Sequence, residues 1–268
     1  MNIINDMLAI AEKEIKLSLR FKIPFFTGSM VEPFIRIAPF LLVYFGFFSA
    51  GAQSFGGVTE SNFVVFLILG MLIDLVLVEG YTRLYIRFME EKYWQTIEAM
   101  LLAPINKLSL LGGQALSLLV GLFPSMLLFL GVSFVLIPTT IQNIILSIAV
   151  VAMVMSIALS IGLIYASSAL FNENFDPLFK YARVGLVFIS CFYYPITIFD
   201  TIPVLSLLKP IVIANPLYQA ITIIRSAWIY GTIEVASVAY VAAFAIIAPL
   251  LAVFIFNKLW KKLNIQGY

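Results

Sequence analysis

The sequence predicts an all-α membrane protein. It has six transmembrane helices, an N-terminal amphipathic interfacial helix, a short helix outside the membrane between the second and third spans, and re-entrant helices before the last span. Three observations predict this. Of 268 residues, 62% are hydrophobic and 11% charged, against about 45–50% and about 25% in soluble domains. Apolar runs of about 20 residues, enough to cross a hydrocarbon core of about 30 Å, recur six times. The basic residues gather in alternate connections between those runs, as the positive-inside rule requires. Such a composition excludes a soluble enzyme, a disordered chain and a secreted disulfide scaffold. The net charge of +2 with no basic stripe excludes a nucleic-acid binder. Cys191 is the only cysteine and histidine is absent, so neither a disulfide nor imidazole chemistry is available.

Residues 1–23 read as the interfacial helix. Ile4, Leu8, Ala11, Ile15 and Leu19 recur on one face and Glu12, Lys13, Lys16 and Arg20 on the other, with Pro24 expected to end it. The spans follow at about 33–50, 63–81, 108–137, 141–170, 184–199 and 235–256. The third and fourth exceed one crossing, which implies tilt or extension beyond the bilayer. The runs are continuous rather than alternating, which disfavours a β-barrel. Thirteen of sixteen Lys and Arg fall in the N-terminal segment, the connections after the second and fourth spans, and the tail. That side is assigned to the cytoplasm, with both termini inside. The chain reads as one membrane domain, 1–268, without internal repeats.

Within the spans, each charge needs an account, because an ionised side chain at mid-bilayer costs about 2.5–3.5 kcal/mol on insertion scales. Glu32 and Arg36, Glu79 and Arg83, and Arg87 and Glu91 are spaced to pair one helical turn apart, and the second span is expected to continue as a helix past the membrane. Asp74 is the deepest charge. It is either hydrogen-bonded to a neighbouring helix, a polar spot on a transport path, or a proton-coupling carboxylate.

Two connections carry the functional information. In residues 92–105, Thr96 is placed to cap a short helix whose Ile97, Met100 and Leu101 form an apolar face, before Pro104 breaks it. It is either a docking element for a partner or a loop tucked against the membrane surface. In residues 192–230, Phe192, Tyr193, Tyr194 and Pro195 lead into further prolines, so one straight helix is impossible. Short apolar pieces joined by prolines read as half-helices that dip in and return. Asn215 before Pro216 is a helix-start signal. The segment is either a gate or a structural external cap. Phe192, Tyr193, Tyr194 and Phe199 would line a hydrophobic constriction in the first case and form an interfacial aromatic belt in the second.

These two segments resemble those of permease subunits of ABC transporters of the type-2 exporter family, which carries drugs, polysaccharides and nodulation factors. Trp94-Gln95-Thr96-Ile97-Glu98-Ala99-Met100-Leu101-Leu102-Ala103-Pro104 is similar to the family's Gly-Thr-Leu-Glu-x-Leu-Leu-x-x-Pro coupling helix. Gln95 replaces the usual glycine and Ile97 the usual leucine. Tyr194-Pro195, Pro203 and Asn215-Pro216-Leu217, with Arg225 ten residues after Asn215, resemble the family's re-entrant gate.

The resemblance implies an exporter subunit of a prokaryotic plasma membrane, working as a homodimer or heterodimer with a second permease. Trp94, Thr96, Ile97, Glu98, Met100, Leu101, Leu102 and Pro104 would couple it to a separate ABC ATPase that carries ATP and magnesium. The chain itself would hold no cofactor or metal, and no Gly-x-x-x-x-Gly-Lys-Ser/Thr loop is present. A pathway with few charges suits an amphipathic, lipid-linked or drug-like substrate. The alternative is a secondary transporter or channel using Asp74 as its coupling carboxylate. An intramembrane enzyme is disfavoured by the lack of histidine and of paired carboxylates.

Overall fold

A computed structural model describes residues 3–95, 107–172, 174–201 and 203–266. The described chain is almost wholly helical, as expected for a segment whose backbone groups must be satisfied without water. In chain order the elements are α1 (Ile3–Arg20), α2 (Lys22–Ser49), a two-stranded hairpin, α3 (Phe63–Tyr93), α4 (Lys107–Leu136), α5 (Ile141–Phe171) and α6 (Phe175–Ile189). There follow α7 (Ile198–Thr201), α8 (Pro203–Ser206), α9 (Lys209–Ala214), α10 (Pro216–Tyr230) and α11 (Val235–Gln266). The helices α2, α3, α4, α5 and α11 are each long and apolar enough to cross a membrane. This is the architecture of a multi-pass membrane protein.

The core is built around α3, 83% of whose apolar stretch is buried, against 11% for that of α11. A helix apolar on all sides can be surrounded by other helices or by lipid, and α3 is the one that the others surround. Its crossing with α5 is made by small residues. A Cβ on Gly162 would stand 2.6 Å from the Gly80 carbonyl oxygen, and one on Gly80 would stand 2.7 Å from Ala158 Cβ. Backbones that close gain dispersion contact where no water is available to drive association.

The amphipathic α1 packs one edge against α4. Gly112 and Gly113 leave no room for a Cβ beside Met7 and Ile10, while Ile4, Leu8 and Leu19 stay exposed. Glu14, buried on that packed edge, accepts from Arg87 of α3, whose Nε and Nη2 each lie 2.9 Å from Glu14 Oε2. Arg87 also bonds Glu90 at 2.8 Å.

Several expectations are refined. The break after α1 falls at Phe21, with φ −110° and ψ 80°. Pro24 sits inside the first turn of α2, where a missing N–H costs nothing. Glu32 and Arg36 pair at 2.5 Å as expected, but Arg83 turns to Gln114 Oε1 of α4 at 3.3 Å rather than to Glu79. The helix expected at 184–199 instead covers Phe175–Ile189, because its first turn is held from below. Tyr81 donates to the Phe179 carbonyl at 2.7 Å, and Tyr165 donates to Asp176. The chain then turns at 190–195.

Candidate functional site

The turn at 190–195 lands on one face of α3. Phe66, Gly70 and Asp74 recur every four residues and so line a single stripe of that helix. Gly70 is what lets the turn approach. A Cβ there would stand 1.9 Å from the Phe192 carbonyl oxygen, a position no other residue could tolerate. Next along the stripe, Tyr193 donates from its hydroxyl to Asp74 Oδ2 at 2.6 Å and approaches the Met71 sulfur at 3.1 Å. The Tyr193 ring stacks on Phe40 of α2, centroids 4.2 Å apart and 8° from parallel. Its carbonyl accepts from the Tyr44 hydroxyl at 3.3 Å. Asp74 Oδ1 has no hydrogen-bond partner among the described residues, although Asp74 is only 6% exposed.

The third point of attachment is Arg225 of α10, which is 8% exposed. Its guanidinium bonds the Cys191 carbonyl (Nη1, 2.9 Å), the Phe192 carbonyl, and the Phe66 carbonyl (Nε 3.3 Å, Nη2 3.1 Å). Its Cζ lies 3.4 Å from the Phe66 ring centroid. A buried cation is costly unless its donors are satisfied, and here carbonyl dipoles and an aromatic face do so without a carboxylate. The carbonyls are available because α6 has ended. Cys191 takes a left-handed backbone, φ 53°, which takes the chain out of the helix.

Asn215 ties the other end of α10 to the same turn. Its Oδ1 caps the helix by accepting from Leu217 N at 3.0 Å, and its Nδ2 donates to Ser190 Oγ at 2.9 Å and to the Ile189 carbonyl at 3.3 Å. Pro216 takes the first helical position, where its fixed φ is already suitable. The helical stretch 203–214 and α10 meet at this point with a bend of 79°. A hairpin pairing Ser54–Phe55 with Val58–Thr59 covers the outside of the turn. Gly56 and Gly57 both have positive φ there, and a Cβ on Gly56 would stand 2.8 Å from Pro195.

The structure thus brings together residues that the sequence offered separately. Asp74, Phe192, Tyr193 and Asn215 meet in one buried cluster, while Phe199 packs with Cys191 and Val212 just beyond it. Tyr194 is only partly buried and donates to the Phe188 carbonyl. Phe192 and Tyr193 lie inside the protein rather than at a rim. Trp94 is exposed in the turn after α3, and Thr96, Ile97, Glu98, Met100, Leu101, Leu102 and Pro104 lie outside the described residues.

The anchoring residues Phe40, Tyr44, Phe66 and Gly70 were not singled out from the sequence. The one signal available was Gly70 itself, an isolated glycine in a run of bulky apolar residues, which marks a close backbone approach. Among the described residues, no three Cys, Asp or Glu side chains come together to hold a metal ion. The arrangement offers no nucleophile with a base beside it. What it does is pin a turn to three helices at once. Compared with known proteins, the chain matches no family model and no curated protein sequence.

Proposed function

We propose that the chain is the membrane-spanning permease subunit of an exporter driven by a separate ABC-type ATPase, with the 190–230 segment as its gate. The observation that carries this reading is the 79° bent pair, whose second arm holds a sharp turn against the most buried helix through Arg225. A broken apolar segment pinned by a few polar contacts has two packings available to it, which is what a gate requires. A structural cap has no need of a buried guanidinium.

In this reading the protein crosses a prokaryotic plasma membrane six times. The helix α6, about 22 Å long at 1.5 Å per residue, makes the fifth crossing together with its turn, and α7 to α10 re-enter and return. Both termini are cytoplasmic, with α1 on the membrane surface. The helix α3 extends beyond its apolar stretch to Tyr93, with Trp94 after it, on the side where the ATPase would dock. Two permeases, identical or not, complete the pathway. Strongly exposed apolar side chains on α2, among them Ile35, Leu42 and Val43, suit lipid or that second subunit. The pathway has few charges, which favours an amphipathic, lipid-linked or drug-like substrate.

Co-purification tests the reading. The chain, tagged and expressed with the products of its neighbouring genes, should bring down a nucleotide-binding subunit, and Leu101→Glu should release it. Purification without any ATPase would leave the second reading, a secondary transporter using Asp74. The unpartnered Asp74 Oδ1 is the observation that favours that alternative.

A further inference from the structure

Cys191 is a non-glycine residue in the left-handed region, buried and 0% exposed, at the point where α6 gives way to the gate. Such a conformation is strained and persists only where surrounding contacts impose it. The contact that imposes it here is identifiable. Arg225 Nη1 holds the Cys191 carbonyl at 2.9 Å, and Nη2 holds the next carbonyl, that of Phe192. The same guanidinium is anchored on α3 through the Phe66 carbonyl and ring. Beside it, the Phe192 carbonyl is seated over Gly70, where a Cβ would also stand 2.8 Å from Arg225 Nη2.

We propose that Arg225 is the positioning residue of the gate. By gripping the Cys191 and Phe192 carbonyls it keeps Cys191 in its left-handed conformation, and when it lets go, the 190–195 turn relaxes and swings off α3. Cys191 is therefore the hinge and Arg225 the catch. The fork geometry matters, since two consecutive carbonyls and a third on α3 need several donors in one plane, which lysine does not supply. The inference rests on reading this segment as a gate, and it adds which residues set the closed state.

The chain carries its own reporter, because Cys191 is its only cysteine. The full-length protein in lipid nanodiscs, open to reagent on both faces, is treated with a water-soluble maleimide and the rate of labelling at Cys191 is followed. Wild-type protein should label slowly. Arg225→Lys should label faster by about tenfold or more, from the loss of buried charge-assisted hydrogen bonds. Gly70→Ala, whose methyl would meet both the Phe192 carbonyl oxygen and Arg225 Nη2, should also accelerate labelling, and it carries the test if the Arg225 variant does not fold.

Trp228→Phe is the control. It removes the 2.8 Å bond from Trp228 Nε1 to Ser147 Oγ of α5, which touches neither gripped carbonyl, and should leave the rate unchanged. Unaltered labelling in both Arg225→Lys and Gly70→Ala, or equal acceleration by Trp228→Phe, overturns the proposal. Because no ATPase takes part, that result would leave the exporter reading to its own co-purification test.

Discussion

The Tyr193 hydroxyl donates to Asp74 Oδ2 at 2.6 Å across 119 residues of sequence, and this one bond joins the 190–195 turn to a buried carboxyl group of α3. The ring of Tyr193 also stacks on Phe40 and its carbonyl accepts from Tyr44, so two adjacent residues of the turn bind α2, α3 and α10 together. Breaking the bond from different sides should have different consequences.

Tyr193→Phe removes the donor and leaves the buried Asp74 carboxyl with neither oxygen bonded. The expected loss is about 1–3 kcal/mol of stability, read as a lower midpoint of thermal unfolding in detergent. Asp74→Asn keeps an acceptor for Tyr193 and should cost much less. The double variant Asp74→Leu with Tyr193→Phe replaces both partners by apolar groups and should be more stable than Tyr193→Phe alone. Additive losses would show that the two side chains do not act as a pair.

The crossing of α3 and α5 depends on two glycines, and glycines elsewhere offer a contrast. Gly162→Ala places a methyl 2.6 Å from a backbone oxygen and should destabilise by about 1–3 kcal/mol through forced separation of the helices. Gly121, in the interior of α4, has nothing within 4 Å of its notional Cβ. Gly121→Ala should stabilise by about 0.5–1 kcal/mol, because alanine has less backbone entropy to lose. Equal effects in thermal unfolding would contradict the packing described.

The attachment of α1 gives a third prediction. Glu14→Gln breaks a buried ion pair and leaves Arg87 with Glu90 as its ion-pair partner among the described residues, at a cost of about 3 kcal/mol. Lys16→Ala removes an exposed pair with Glu12 at 2.5 Å and should leave stability nearly unchanged. Limited proteolysis checks this, since cleavage ahead of Lys22 should speed up in Glu14→Gln and not in Lys16→Ala.

Acid should weaken the foot of α6. Burial works against the charge of Asp176, but hydrogen bonds from Lys180, Tyr165 and Tyr85 outweigh it and hold the carboxyl down to about 2. A carboxyl whose pKa is lowered on folding stabilises the protein above its unfolded value of about 4. That contribution fades as pH falls from about 4 towards about 2. Wild type should therefore unfold at a higher temperature than Asp176→Asn at pH near neutrality, and the gap should narrow on acidification through that window. A gap independent of pH would show that the side chain acts by packing alone.

Much of this was legible in the sequence wherever one local pattern decides the outcome. The long apolar runs mark α2 to α5 and α11, Asn215-Pro216 marks the start of α10, and four-residue spacing gives the Glu32–Arg36 pair. Where a side chain chooses among partners on other helices, spacing misleads. Arg83 reaches Gln114 of α4 rather than Glu79, and Arg87 gains Glu14 of α1 as a partner, because α1 and α4 pack against that side of α3; the Glu91 side chain expected beside Arg87 lies outside the described ones. The adjacent Gly112 and Gly113 hinted at this close approach without naming the helix that makes it. Asp74 and Tyr193 were each conspicuous, but their bond depends on α6 ending at Ile189. That end leads into Cys191, whose left-handed backbone is gripped by Arg225 from elsewhere in the chain. Gly56-Gly57 between two short runs was a readable hairpin signal, hidden in a segment notable mainly for lacking basic residues.

The claim that this chain couples its gate to a separate ATPase is tested most directly by site-specific photocross-linking at Leu101 in cells expressing the protein with its neighbouring gene products. The account predicts one cross-linked partner, a nucleotide-binding subunit, captured through Leu101 and not through a probe at the exposed Leu42 of α2. Capture of lipid alone at Leu101, with no ATPase in the product, would contradict it.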